Sequence, residues 1–218
     1  MKGKLFAVGV GPGDPELLTL KAVRILKEAD IIACPTKNGE PGIAYRIAES
    51  AVPEIRSKKK LVLDFPMERS GYEEAHRKAA DEIVQGLDAG MNTAFVTLGD
   101  PGIFSTFYYI AQEAGRKGFQ TEIICGIPSF CAAAARLKIP LTLGAENVII
   151  TSGEYIDHDG PLVIMKAGMN LDGIKNEVKK AGKNVWFAEN CGMEGEKLYA
   201  GLENIPDKAG YFSIMIVR

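Results

Sequence analysis

Three short apolar segments of this sequence each end in a loop rich in glycine and proline, and each loop leads into a helical pattern. The loops read GVGPGDP at residues 9–15, TLGDP at residues 97–101 and CGIPS at residues 125–129, and are called here the first, second and third glycine loops. Ligands of open α/β sheets bind beyond the carboxyl ends of the strands. The repeated pattern therefore predicts one ligand pocket formed by the three loops.

The N-terminal part of the chain alternates between apolar runs and runs with helical spacing. Such an alternation indicates a mostly parallel sheet with helices on its faces. The predicted strands cover residues 5–10, 31–34, 61–63, 93–98 and 121–125, and the predicted helices cover residues 17–29, 44–51, 72–87 and 104–114.

The C-terminal part has a different pattern, in which predicted strands outnumber helices. A basic segment bracketed by glycines, residues 115–118, marks the predicted boundary. We therefore predict an α/β fold of two α/β domains: residues 1–117 with a mostly parallel sheet and flanking helices, and residues 118–218 with a mixed sheet. The predicted strands of the second domain cover residues 148–151, 162–165, 184–188 and 211–217, and its predicted helices cover residues 128–137 and 171–180.

Composition narrows the class of protein further. Hydrophobic residues make up 46% of the chain and charged residues 25%, as in ordinary globular proteins, and no apolar run is long enough for a membrane span. The net charge of −2 argues against nucleic-acid binding. The cysteines form no C-x-x-C pair, so we expect reduced thiols, a cytoplasmic protein and no bound metal. They are Cys34, Cys125, Cys131 and Cys191.

The pairs Asp14-Pro15 and Asp100-Pro101 have the composition of a helix start, because aspartate is a good N-cap and proline fits the first helical position. By itself this pattern predicts two helix starts and no ligand contact. The surrounding glycines favour binding, because they remove side chains and let the backbone approach a ligand closely. They are Gly9, Gly11, Gly13 and Gly99.

The first glycine loop does not match the common phosphate-binding motifs. Asp14 stands at the last glycine position of a dinucleotide fingerprint, Pro12 removes a backbone donor, and the sequence has no GK[ST]. A pyrophosphate requires donors and no nearby carboxylate. An apolar pocket with a carboxylate rim instead favours a neutral adenosine that carries a cationic sulfonium.

Four segments together resemble the tetrapyrrole (corrin/porphyrin) methylase superfamily over essentially the whole chain: GVGPGDPELLTLKA, TLGDPGIFSTF, CGIPSFCAAAARLKIPL and VIMKAG. FSTF and SFCAAA are similar to the precorrin-2 carbon-20 methyltransferase branch. The resemblance implies S-adenosyl-L-methionine as cofactor, bound in the cleft between the two domains. It also implies methyl transfer to carbon 20 of precorrin-2 or cobalt-precorrin-2 in cobalamin biosynthesis, and a homodimer.

The resemblance also implies which residues contact the cofactor, although the third glycine loop departs from the usual pattern. Cys125 replaces its usual proline, and Pro128 replaces a serine or threonine, so a hydroxyl contact is lost there. Pro35 stands where the uroporphyrinogen-III methylases carry an aspartate assigned as a base, so we assign no catalytic residue. The implied cofactor-binding residues are Pro12, Leu98, Gly99, Asp100, Ile103, Pro128, Ser129, Met165 and Cys191.

A carboxylate-rich tetrapyrrole requires cations. Lys166 is the strongest candidate, because it directly follows the apolar run 162–165 and a buried lysine needs an anionic partner. Lys58, Lys59 and Lys60 are also candidate cations, but a solvated charge run is the favoured interpretation of these three residues. Further candidate cations are Lys37, Arg46 and Arg69. We also assign Asp14, Phe104, Ser105 and Thr106 to substrate binding. Phe104 stands where the branch often has tyrosine.

Several alternatives remain open at this stage. Within the superfamily they are uroporphyrinogen-III methylases, other precorrin methylases, diphthine synthases and ribosomal RNA methylases. Outside it they are a nucleotide-binding oxidoreductase and a non-catalytic adenosylmethionine sensor. The sequence also leaves open whether the tetrapyrrole arrives metal-free or loaded with cobalt.

Overall fold

The structure is a computed structural model that describes residues 2–36, 39–65 and 72–218. The chain divides into two compact units, Met1–Pro128 and Ser129–Arg218, each with its own five-stranded sheet. The two predicted α/β domains are therefore present. The boundary expected after residue 117 precedes this division, because the strand at Thr121–Ile124 pairs with the first strand of the chain and belongs to the first sheet.

The first sheet has the strand order β3-β2-β4-β1-β5, and all of its neighbouring strands are parallel, as predicted. Helices connect most of the strands. The strands are β1 (Leu5–Gly9), β2 (Ile31–Thr36), β3 (Lys59–Asp64), β4 (Thr93–Thr97) and β5 (Thr121–Ile124), and the helices are α1 (Leu20–Glu28), α2 (Ile43–Ala51), α3 (Tyr72–Asp88) and α4 (Phe107–Arg116).

The helices cover both faces of the first sheet and form two separate cores. Helices α1 and α2 pack on one face, where Ile25 and Leu26 of α1 are buried. Helices α3 and α4 pack on the other face, where the rings of Phe107 and Phe95 lie 5.5 Å apart. Strands β1 and β4 are neighbours whose following helices lie on opposite faces. This is the topological switch point at which ligands of open α/β sheets bind.

The second sheet has the order β6-β7-β10-β8-β9, in which β6 and β7 are parallel and the other neighbours are antiparallel. The predicted mixed sheet is thus confirmed. Its strands are β6 (Ile149–Ser152), β7 (Leu162–Met165), β8 (Val185–Glu189), β9 (Lys197–Ala200) and β10 (Ser213–Val217), and its helices are α5 (Ser129–Leu137) and α6 (Leu171–Ala181).

Strand β9 was not predicted from the sequence. It has four residues, lies at the edge of the sheet and is mostly exposed, and its apolar run of Leu198, Tyr199 and Ala200 is short and lies between glycines. The core of this unit instead lies between α6 and the sheet, where Ile174 and Val178 of α6 are buried with Phe187 and Met215. In the described ranges, no helix is both long and apolar enough to cross a membrane.

Candidate functional site

The three glycine loops leave the same edge of the first sheet. They follow β1, β4 and β5, which are adjacent in the order β4-β1-β5 and all point in one direction. The structure thus brings together the loops that the sequence pattern selected, and the first and second loops flank the switch point.

Backbone hydrogen bonds join the first loop to the second beyond the ends of their strands. The N–H of Gly99 donates to the carbonyl of Gly11 at 2.8 Å, and the N–H of Gly11 donates to the carbonyl of Gly99 at 3.3 Å. Both glycines have positive φ, +73° for Gly11 and +66° for Gly99. Side chains are strained in this region, so the pairing of the two loops itself requires glycine.

Two further glycines allow the loops to contact one another. A β-carbon on Gly9 would lie 2.6 Å from the nitrogen of Gly126 and 2.7 Å from the carbonyl oxygen of Gly99. A β-carbon on Gly126 would collide with the same Gly99 oxygen. The loop pattern predicts that Gly9 lets the backbone approach a ligand closely. The structure gives Gly9 and Gly126 a role in packing the three loops together.

The two predicted helix starts have different outcomes. Asp14 is the N-cap of a short 3-10 helix, Pro15–Leu17, and accepts a hydrogen bond from the N–H of Glu16 at 2.9 Å. Asp100 accepts from the N–H of Gly102 at 2.7 Å. No regular helix begins there, because α4 starts only at Phe107.

The predicted helix at residues 104–114 therefore starts later than expected. Phe104 has a φ of +48°, a left-handed conformation that an α-helix cannot contain. Its ring is 55% exposed. Ser105 accepts a hydrogen bond from the N–H of Phe107 at 3.2 Å, and its hydroxyl lies 3.3 Å from that of Thr97. A bulky residue held in this conformation is typical of functional sites.

The second unit has a comparable edge, at which β7 and β8 both end, with β10 between them. Lys166 and Asn190, the residues directly after these strands, both have positive φ, +55° and +52°. Lys166 is half-buried, and its ammonium lies 5.2 Å from the centroid of the Tyr211 ring. This distance is within the range of a cation–π interaction.

Cys191 lies in the turn after β8 and is buried. Burial, with a smaller contribution from the carboxylate of Glu196, raises the pKa of the Cys191 thiol to about 11. Glu196 accepts a hydrogen bond from the N–H of Gly192 at 2.6 Å and lies 3.5 Å from the guanidinium of Arg136. These contacts hold the turn that contains Cys191. Neither Glu196 nor Arg136 was predicted from the sequence, because no motif identifies them.

The lysine run at the start of β3 lies away from the glycine loops. Lys58 donates from its ammonium to the carbonyl of Lys27 at 2.6 Å, near the C-terminal end of α1. Lys59 and Lys60 are the first residues of β3, at the amino edge of the parallel sheet. They are therefore poor candidates for a substrate site at the carboxyl edge.

The remaining predicted site residues are distributed over both units. Arg46 is exposed on α2, whereas Lys37 and Arg69 lie outside the described residues. In the described part of the chain, no group of three or more His, Cys, Asp or Glu residues could hold a metal ion. The first unit carries Pro12, Leu98, Gly99, Asp100 and Pro128 in its glycine loops and Ile103 just after the second loop. The second unit carries Ser129 at the start of α5, Met165 at the end of β7 and Cys191.

Two α/β units, with glycine loops at the carboxyl ends of the strands of the first, are typical of a ligand-binding α/β protein. A family model described as Tetrapyrrole (Corrin/Porphyrin) Methylases matches residues 4–205, and the chain belongs to this family. It is 32% identical to a probable cobalt-precorrin-2 C(20)-methyltransferase of Methanocaldococcus jannaschii, over 99% of this chain and 96% of the relative. It is 30% identical to the cobalt-precorrin-2 C(20)-methyltransferase of Salmonella typhimurium, over 100% and 97%.

Solved structures share the fold. A uroporphyrin-III C-methyl transferase of Thermus thermophilus, complexed with S-adenyl homocysteine, superposes with a TM-score of 0.73 at 24% identity, covering 99% of this chain and 97% of that one. A cobalt precorrin-4 methyltransferase superposes with a TM-score of 0.74 at 20% identity, covering 98% and 94%. The resemblance stated from the sequence motifs is therefore confirmed for the family.

Proposed function

We propose that this protein transfers the methyl group of S-adenosyl-L-methionine to carbon 20 of precorrin-2 or cobalt-precorrin-2 in cobalamin biosynthesis. The similarity to the two cobalt-precorrin-2 C(20)-methyltransferases carries this proposal, because it extends over both units and not over a cofactor-binding segment alone. The reaction belongs to the chemistry of the whole family.

The carboxyl edge of the first sheet fits the proposed cofactor. Apolar side chains at Pro12, Leu98 and Ile103 can line an adenosine, and the carboxylates of Asp14 and Asp100 give the edge the negative charge that a sulfonium favours. Gly99 adds a stretch of backbone without a side chain. The cofactor-binding residues of the second unit in this proposal are Ser129, Met165 and Cys191.

When bound, S-adenosylmethionine supplies an electrophilic methyl group on a positively charged sulfur. The residues of this chain then have to hold the donor and an electron-rich ring carbon in line, and such orientation can supply about 7–11 kcal/mol of a barrier. Forming the carbon–carbon bond requires no base. Burial raises the pKa of the Cys34 thiol to about 12 and that of Cys191 to about 11, so neither thiol is a proton acceptor near neutral pH.

Lys166 is the proposed anchor for a substrate carboxylate. It is half-buried at the end of a buried strand, and the face of Tyr211 supports its ammonium. The substrate brings many carboxylates to such a cation, whereas S-adenosylmethionine brings one and a positive sulfur. The exposed ring of Phe104 offers an apolar face to the macrocycle, and Ser105 and Thr106 complete the proposed substrate segment.

We also infer a homodimer in the cytoplasm. The four cysteines are all free, which suits a reducing compartment. Tyr108 and Tyr109 on α4 are more than half exposed, and exposed aromatic residues are enriched at protein interfaces.

Turnover with a methyl-labelled donor tests the proposed function. Metal-free and cobalt-loaded precorrin-2 are supplied in parallel, and NMR locates the label, which we expect at carbon 20 of one of them. A label at another ring carbon would identify a different methylase of the family. Binding of S-adenosylhomocysteine without turnover of either substrate would refute the proposed reaction, and binding of NAD in its place would refute the proposed cofactor.

A further inference from the structure

We propose that Asp100 is a positioning residue, whose carboxylate ties the second glycine loop to the third and so fixes the edge on which the cofactor binds. The inference rests on the proposed function, because it concerns how Asp100 affects the binding of the cofactor. Asp100 acts on the cofactor through the position of the third loop. This role differs from the expectation that Asp100 contacts the cofactor directly.

The two carboxylate oxygens of Asp100 have separate partners. Oδ1 accepts from the N–H of Gly102 at 2.7 Å, in the turn that directly follows Pro101. Oδ2 accepts from the N–H of Gly126 at 2.9 Å, across to the third loop, 26 residues later in the chain. Hydrogen bonds to an ionised acceptor are among the stronger ones in proteins. One side chain therefore shapes its own turn and holds a neighbouring loop.

Gly126 is the point at which the third loop meets the other two. It is buried, and its backbone packs against Gly9 and against the carbonyl of Gly99. A buried N–H without an acceptor costs free energy, so an acceptor is needed where this loop turns. Asp100 supplies that acceptor from the loop on the far side of β1.

A carboxylate suits this position better than other polar side chains. Asparagine reaches as far, but it has only one acceptor oxygen for two N–H groups. Serine can still accept from the N–H of Gly102, two residues ahead, but is too short to bridge to Gly126. Asp100→Ser therefore removes the bridge between the loops while keeping the local turn.

The test combines two measurements on the full chain. Amide hydrogen exchange of the ligand-free protein reports the bridge directly, and calorimetry with S-adenosylhomocysteine reports its effect on binding. We expect Asp100→Ser to speed exchange at Gly126 at least tenfold and leave the amides of Gly11 and Gly99 unchanged. We expect its Kd for S-adenosylhomocysteine to rise tenfold to a hundredfold, with a smaller rise for Asp100→Asn.

Asp30 provides a matched control at the opposite edge of the same sheet. Its Oδ2 accepts from the N–H of Asn92 at 2.8 Å, which is also a carboxylate-to-backbone bond between distant segments. Asp30→Ser should lower the thermal midpoint of unfolding as Asp100→Ser does, and should leave the Kd for S-adenosylhomocysteine unchanged. If Asp100→Ser does not fold, Asp100→Asn carries both measurements, because it keeps the size of the side chain.

The outcomes separate the inference from the proposed function. Weaker binding with unchanged exchange at Gly126 would mean that Asp100 contacts the ligand directly, and faster exchange with a Kd within threefold of the wild type would mean that the bridge does not position the site. Either result overturns the inference. A wild-type chain that fails to bind S-adenosylhomocysteine refutes the proposed function instead, while the exchange measurement still tests the bridge.

Discussion

The contact between the glycine loops predicts that Gly9→Ala weakens cofactor binding without unfolding the protein. The added β-carbon would lie 2.6 Å from the nitrogen of Gly126 and 2.7 Å from the oxygen of Gly99, and ordinary van der Waals contact begins at 3.4 Å. The loops must therefore separate by about 0.8 Å. All the atoms concerned are backbone atoms, so no side chain can rotate to make room.

The magnitude follows from this separation. Overpacking in a close-packed region typically costs about 1–3 kcal/mol, which is less than the total stability of about 5–15 kcal/mol of a typical domain. A displacement of about 1 Å in a binding or catalytic site can cost roughly a hundredfold. We therefore expect a folded Gly9→Ala protein whose Kd for S-adenosylhomocysteine is raised tenfold to a hundredfold, measured by calorimetry beside a urea titration.

Gly115→Ala is the control for this prediction. Gly115 lies in α4, and apart from its chain neighbours and the backbone of its own helix no described atom comes within 4 Å of the added β-carbon. Alanine favours helices over glycine by about 1 kcal/mol, so this variant should be slightly more stable and should bind as the wild type does. The reasoning about the loops is refuted if Gly9→Ala binds S-adenosylhomocysteine as tightly as Gly115→Ala.

Three further predictions address the substrate site, the thiols and the core. Lys166→Met should weaken tetrapyrrole binding tenfold to a hundredfold, because a charge-assisted hydrogen bond is lost, and should leave the Kd for S-adenosylhomocysteine unchanged. A raised Kd for S-adenosylhomocysteine with unchanged tetrapyrrole binding would place Lys166 at the cofactor. Iodoacetamide should modify the exposed Cys125 well before the buried Cys191, because the Cys191 thiol stays protonated until the pH approaches its pKa of about 11. Equal rates for the two cysteines at pH 8, measured by peptide mass spectrometry, would contradict this expectation. Phe107→Ala should lower the free energy of unfolding by about 3–5 kcal/mol in a urea titration, because the ring is fully buried against Phe95, and a loss below 1 kcal/mol would contradict that packing.

The sequence was sufficient to predict the parallel sheet, the mixed sheet and the three loops at one edge. Each of these depends on a local pattern, namely an apolar run, a helical spacing or a glycine-proline turn, which neighbouring residues determine. The family was also identifiable from the loop motifs. Their order in the sheet, β4-β1-β5, was not predicted, because it joins strands that lie far apart in the chain.

Features that depend on distant contacts could not be predicted. The left-handed conformations of Phe104 and Lys166 are imposed by the structure around them, because neither residue type favours positive φ. The bond from Gly126 to Asp100 joins residues 26 positions apart, and no spacing rule connects them. For the same reason the lysines at the start of β3 were candidates for the site until the sheet topology placed them at its opposite edge.

The contact among Gly9, Gly99 and Gly126 separates two properties of this edge that substitutions usually change together. They are the spacing of the loops and the side chains that the edge presents. Main-chain atoms set how closely the loops approach one another at this edge, and the carboxylate of Asp100 bonds the second loop to the third, so the spacing does not depend on the size of the other side chains. We therefore expect a substitution at the exposed Cys125 to change the surface that this edge presents, while the distance between the loops stays constant.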